Sequence, residues 1–142
     1  MFIKILPIIM VVLSSIGYHM SQKATPNVLH PIVALIVTYV CASVVSIVAF
    51  FMFVPKTNLI EAVKDANWSS YVLGFAVVGL ELGYLLAYRA GWHISTMSLL
   101  ANTLVALLLI PIGIMLYKES ITLHATLGIA LCIIGLMLIT KK

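Results

Sequence analysis

Charge is what this sequence has least of. Four acids (Glu61, Asp65, Glu81 and Glu119) and eight bases occur in 142 residues; charged side chains make up 8% of the chain and hydrophobic ones 63%. A water-soluble domain carries roughly 25% charged residues. This chain cannot solvate its own surface in water, so lipid is its solvent. Cysteine is sparse as well. Cys41 and Cys132 lie inside apolar runs, with no CxxC or Cys/His ligand spacing around them; they read as small packing residues rather than as metal ligands or a disulfide framework. HxxxH, GxSxG and the GxxxxGKS/T phosphate loop are all missing. No nucleophile–base pair, metal set or cofactor-binding segment is present, so neither an enzymatic activity nor a cofactor is expected.

What is present is apolar sequence in long blocks, with a mean hydropathy of +1.22. A chain inside lipid must satisfy its backbone hydrogen bonds internally, which leaves helices or a closed barrel. The apolar runs are continuous and lack the alternation of barrel strands. The expected fold is therefore all-α, a polytopic membrane helix bundle with five spans, at about 2–20, 31–54, 68–90, 95–117 and 123–140, in one transmembrane domain over 1–142. The net charge of +4 and pI of about 9.2 do not indicate nucleic acid. The bases stand singly at the ends of apolar runs, where they meet headgroups.

The connections are short. Residues 21–30, SQKATPNVLH, read as a loop, and Pro31 opens the second helix at a tolerated position. The first run starts like a signal peptide, but it is longer than the usual apolar region and no small-x-small site follows; it is expected to stay as a helix. Between the second and third spans, Thr57 or Asn58 is placed to cap a short amphipathic helix, LIEAVKDA, lying in the headgroup plane. Trp68 and Tyr71 at one end of the third span, and Tyr88 and Trp92 at the other, form the aromatic belt of a helix that crosses two interfaces. Arg89 is expected to snorkel outward, and Gly91, Trp92 and His93 to make a tight turn. The STMS segment at 95–98 reads as the cap of the fourth helix, and Pro111 as the site of a kink.

In the third span one acid, Glu81, interrupts the run WSSYVLGFAVVGLELGYLLAYRAGW. A charge at that depth is costly to insert and is functional by default. On a helical wheel Gly74, Val78, Tyr84, Leu85 and Tyr88 share its face. Gly79 and Gly83 lie opposite as a GxxxG pair that permits close helix approach. A carboxyl held away from water favours its neutral form, and an acid of this kind trades a proton for a cationic or amine substrate, the minimal device of an antiporter. Tyr84 and Tyr88 would supply hydroxyls or ring faces to that site. The alternative is a structural acid bonded to Asn102, Ser98 or a backbone carbonyl. On the fourth helix Ser95, Ser98, Asn102 and Ala106 share a face, so Asn102 is either a substrate contact or an interhelical clamp. Gly128, Cys132 and Gly135 give the fifth helix a small-residue packing face. His19, His30, His93 and His124 fall near span ends and read as interfacial residues.

With five spans, Lys4, Lys56, Lys64 and Lys118 lie on one side of the membrane and Lys23, Arg89, Lys141 and Lys142 on the other. Orientation normally follows an excess of Lys and Arg on the cytoplasmic side, and here there is none. Either the chain inserts both ways and pairs with an inverted copy, or its orientation is fixed, by features a simple count of bases misses or by a partner subunit.

The stretch AYRAGWHISTMSLLANTLVALLLIPIGIMLYKESITLHATLGIALCIIGLMLI resembles the second part of an EamA-type repeat of the drug/metabolite transporter superfamily. The features are the aromatic-Arg-Ala end of the third helix, the Ser/Thr start of the fourth, the KESIT turn and the Gly128–Gly135 run; YHMSQK at 18–23 is similar to the end of a first helix in that family. The resemblance covers about 14–140. It implies ten helices in two inverted five-helix repeats, with the substrate between them. This chain holds one repeat, so an antiparallel homodimer or a paired five-helix subunit would restore the ten. The related small multidrug resistance proteins carry their essential glutamate on the first helix. The first helix here has no acid, so Glu81 does not inherit that role by alignment. The resemblance implies a multi-pass cell-membrane protein of prokaryotic inner-membrane type, a secondary transporter exporting a small metabolite or an amine or cation. The other reading is a non-catalytic membrane subunit of a heteromeric transporter or lipid-linked-sugar flippase.

Overall fold

The computed structural model describes residues 2–54, 57–118, 120 and 122–140. Every regular element among them is an α-helix: α1 (Phe2–Ala24), α2 (Pro31–Phe53), α3 (Leu59–Lys64), α4 (Trp68–Arg89), α5 (Ile94–Tyr117) and α6 (Leu123–Thr140). Four described stretches are long and apolar enough to cross a membrane: Ile5–Ala24, Pro31–Phe53, Trp68–Arg89 and Ile94–Tyr117. Within α6 the described apolar helix is the shorter Thr126–Gly135. The protein is thus an all-α, multi-pass membrane protein.

Punctuation in the sequence places most of the helix ends. His30 Nδ1 accepts from the Ile32 N–H ahead of Pro31. Asn58 Oδ1 accepts from the Ile60 N–H at 3.0 Å, capping α3 as its sequence indicates. Asn67 caps α4 in the same way, its Oδ1 accepting from the Ser69 N–H and hydroxyl. Such caps satisfy amide donors that no helical carbonyl can reach. Gly91 turns the chain with φ +94°, a backbone region that L side chains resist. Lys118 takes the left-handed position after α5 without being glycine.

Two local expectations are corrected. α1 continues through Ser21, Gln22 and Lys23 to Ala24 rather than ending at Met20. Gln, Lys and Ala are good helix formers, and the stop comes at Thr25, whose helical conformation Pro26 disfavours. α5 begins one residue early, at Ile94, with His93 in the cap position and no side-chain cap bond; Ser95 and Thr96 sit inside the helix. Pro111 lies inside α5. Lys56, Lys141 and Lys142, counted in the charge balance, lie outside the described residues, as does Glu119 of the KESIT turn.

The chain divides into two compact units, Met1–Met20 with Gly91–Lys142, and Ser21–Ala90. In the first, α5 packs on α6. In the second, α2 packs on α4, running in the opposite direction: Ala34 and Leu35, near the start of α2, meet Leu85, near the end of α4. Leu85 is 1% exposed, and Leu29, Tyr39 and Leu82 close around it. The remaining faces of the long helices are lined by exposed aliphatic side chains. That pattern suits helices whose surroundings are lipid tails as apolar as the side chains themselves.

Candidate functional site

The buried face of α4 is short and chemically mixed. Glu81, Tyr84, Leu85 and Tyr88 are its buried residues. Their spacing of three and four puts them on one stripe, as the helical wheel indicates. Glu81 is the one buried charged residue among those described, at 9% exposure, and its Oε2 has no hydrogen-bond partner among them. The rings of Tyr84 and Tyr88 stack at 6.0 Å between centroids and 27° between planes. At about 1.5 Å per residue, Glu81 lies some 4 Å past the midpoint of α4, on the side of its C-terminus.

Below the tyrosines, two cations hold the end of the helix. Lys23 Nζ donates to the Tyr88 carbonyl at 3.1 Å and lies 5.8 Å from the centre of the Tyr88 ring. Arg89 Nη2 donates to the Pro26 carbonyl at 3.0 Å and to that of Leu29. The connection after α1 is thereby fastened to the C-terminus of α4. Positive charge there also complements the carbonyl end of the helix dipole. Arg89 is therefore turned onto carbonyls of its own chain rather than snorkelling away, because a planar guanidinium can serve two acceptors at once. Tyr88 is likewise no belt residue: it is 4% exposed, whereas Trp68, Tyr71 and Trp92 are exposed as a belt requires.

Asn102 is exposed on α5, in the other unit. It lines a cavity of about 540 Å³ with Ser15, His19, Ser98 and apolar residues of α1 and α5, and one of about 420 Å³ with Thr103, Ala106, Gly128, Cys132 and neighbours on α5 and α6. The shared face of Ser98, Asn102 and Ala106 is therefore a cavity wall. The structure brings Glu81, Tyr84 and Tyr88 together in the second unit and places Asn102 in the first. The glycine seams have no neighbour within the described residues: a Cβ at Gly79, Gly83, Gly128 or Gly135 would meet nothing within 4 Å. Cys41 and Cys132 are free and exposed.

One group near Glu81 escapes a reading of the sequence by type. Tyr39 projects from α2, and its buried hydroxyl has no hydrogen-bond partner among the described residues. It lies within electrostatic reach of the Glu81 carboxyl. The available signal was length. Thr38 Oγ1 and Ser46 Oγ donate to carbonyls of their own helix, to Ala34 at 3.0 Å and Ala42 at 2.8 Å. A phenol is too long to fold back in this way, so a tyrosine in mid-helix must place its hydroxyl against another element or leave it unpaired.

Compared with known proteins, the chain matches no curated protein and no solved structure. A family comparison matches residues 1–141, nearly the whole chain, to the EamA-like transporter family. Helices long and apolar enough to cross a membrane agree with that match, and the chain belongs to the EamA-like transporter family.

Proposed function

We propose that this protein is a secondary transporter that exports a small metabolite, an amine or a cation in exchange for protons, with Glu81 as the exchange site. The observation that carries this reading is the burial of Glu81 within a membrane span with one carboxylate oxygen unpartnered. An unpaired acid at that depth costs several kcal/mol unless it carries a proton or meets a cation. Alternation between those two occupants is proton-coupled antiport. Tyr84 and Tyr88 form the aromatic wall beside the acid.

The five long helices α1, α2, α4, α5 and α6 act as the spans of a single domain over 1–142. At about 1.5 Å per residue, the 18 residues of α6 reach about 27 Å, close to the hydrocarbon thickness of a bilayer. The working unit is a dimer of inverted copies. The four-against-four division of bases supports this, as do the open glycine faces at Gly79/Gly83 and Gly128/Gly135, where a second chain would approach. Alternating access then rocks one repeat against the other around a midplane site.

The test is transport by purified protein in liposomes, with internal pH recorded. Wild type should release protons when substrate is added, and Glu81→Gln should bind and move substrate without pH dependence or fail to move it. Equal, pH-dependent transport by Glu81→Gln would remove the acid from the mechanism.

A further inference from the structure

The seam between α2 and α4 contains two buried polar atoms that find no partner among the described residues: Tyr39 Oη and Glu81 Oε2. They come from facing helices, and Tyr39 packs on the cluster around Leu85, one helical turn after Glu81. Tyr39 also stands in the wall of a cleft of about 420 Å³, lined otherwise by Ser70, Leu73, Gly74, Val77 and Val78 of α4. Val77 and Val78 are one helical turn before Glu81, so the cleft runs along α4 toward the acid. Its lining is aliphatic apart from the hydroxyls of Tyr39 and Ser70.

The charges around the acid are few. α2 offers one other titratable side chain, Cys41, which is exposed. On α4, Tyr84 and Tyr88 share the stripe of Glu81. Lys23 is engaged at Tyr88, about two turns away along the helix. No cation is paired with Glu81 among the described residues, and Tyr39 is the group that α2 brings to it.

We propose that Tyr39 and Glu81 form a two-acceptor seat for the N–H bonds of a protonated primary or secondary amine, whose apolar body lies in the cleft against Leu73, Gly74 and Val77. The proposal rests on Glu81 being the exchange site and adds the identity of its ligand. An ammonium with at least two N–H bonds satisfies both orphan oxygens at once: the carboxylate accepts one and the phenol oxygen accepts the other, its own proton turning away. A quaternary ammonium of the same size brings the charge but no donor, and leaves both oxygens unpaired in a buried site. Sites built to hydrogen-bond a group reject analogues that lack it far more strongly than apolar pockets reject an extra methyl. This recognition differs from that of an aromatic cage, which holds quaternary ammonium through ring faces alone. The cleft volume lies near the small end of ligand pockets, which sets the ligand at one ring or a short alkyl chain beyond the nitrogen.

The probes are 2-phenylethylamine and its N,N,N-trimethyl derivative, with binding to purified protein in nanodiscs measured by calorimetry. Wild type should bind the primary amine about tenfold or more tighter than the trimethyl compound, the scale of one buried hydrogen-bonding group left unpaired. Tyr39→Phe removes the phenolic acceptor, keeps the ring and should shrink that preference to a few fold, while a thermal melt checks that the variant is folded. Equal affinity of the two probes for wild type overturns the proposal, and so does failure of the primary amine to bind. An unchanged preference in Tyr39→Phe overturns the role of Tyr39. Glu81→Gln separates the two readings: if it loses pH-dependent transport while wild type shows no preference for N–H donors, the exchange site stands and the amine seat falls. If Glu81→Gln binds the primary amine as wild type does, both fall.

Discussion

Replacing Arg89 with methionine keeps the apolar stem of the side chain and removes its donors. The structure shows what is lost: two bonds from Nη2, to the Pro26 carbonyl at 3.0 Å and to the Leu29 carbonyl. Bonds to a charged group contribute about 1.5–3 kcal/mol when shielded from water. Here the shielding is partial, since Pro26 is exposed and Arg89 and Leu29 are half-buried, and headgroup water can replace the guanidinium at the Pro26 carbonyl. Side-chain hydrogen bonds measured inside membrane proteins average about 0.6 kcal/mol each. The variant is also relieved of Arg89 Nε, which is buried without an acceptor. The net expectation is a loss of about 1 kcal/mol, or roughly a fivefold shift in the folded-to-unfolded ratio. Arg89→Lys should lose about half as much, because an ammonium reaches one of the two carbonyls well but does not span both in a plane. Unfolding in mixed micelles by rising SDS fraction, followed by helical circular dichroism, measures both. A methionine variant as stable as wild type, or a lysine variant less stable than methionine, would refute the view that the guanidinium fastens the connection to α4.

Leu85→Ala opens a hole at the most buried side chain of the α2–α4 seam. The loss should be about 2 kcal/mol, the low end of such deletions in water-soluble cores, because lipid removes the transfer term and leaves the packing term; a loss below about 0.5 kcal/mol would mean that the seam is not tightly packed. If the chain inserts in both orientations, a C-terminal tag should be reached by a membrane-impermeant reagent from both faces of the membrane, and labelling from a single face would eliminate the homodimeric inverted pair.

The helices were legible because their ends carry strong punctuation. Pro31, Asn58 and Gly91 mark starts and turns whose backbone requirements few other residues meet, and the apolar runs between them admit one secondary structure in lipid. The orientation of each helix was much less legible. In water an apolar stripe reveals the packed face, but a membrane helix is apolar all round and the lipid is no more polar than the core. Glu81 could be placed because a carboxyl is anomalous wherever it points, and its stripe-mates Tyr84 and Tyr88 followed from the helical period. Tyrosine alone is ambiguous: its ring and hydroxyl suit an interface as well as a seam. Tyr88 accordingly suits both belt and stripe, and nothing in the sequence around Tyr39 distinguishes it inside α2. Arg89 and Lys23 were expected in the headgroups because nothing in the linear sequence shows that a carbonyl-rich connection passes within their reach.

The position of Glu81 along α4 has an electrical consequence. At about 1.5 Å per residue the carboxyl lies about 20 Å from the Trp68 end of the helix and about 12 Å from the Arg89 end. If voltage falls evenly along that length, a unit charge reaching Glu81 from the Trp68 side crosses about six-tenths of it. At 100 mV, where the full drop is worth about 2.3 kcal/mol per charge, the two legs amount to about 1.4 and 0.9 kcal/mol. Occupancy of this carboxyl by a proton or any other cation therefore depends on membrane potential, and on the side from which the ion arrives, even when nothing is carried the whole way across.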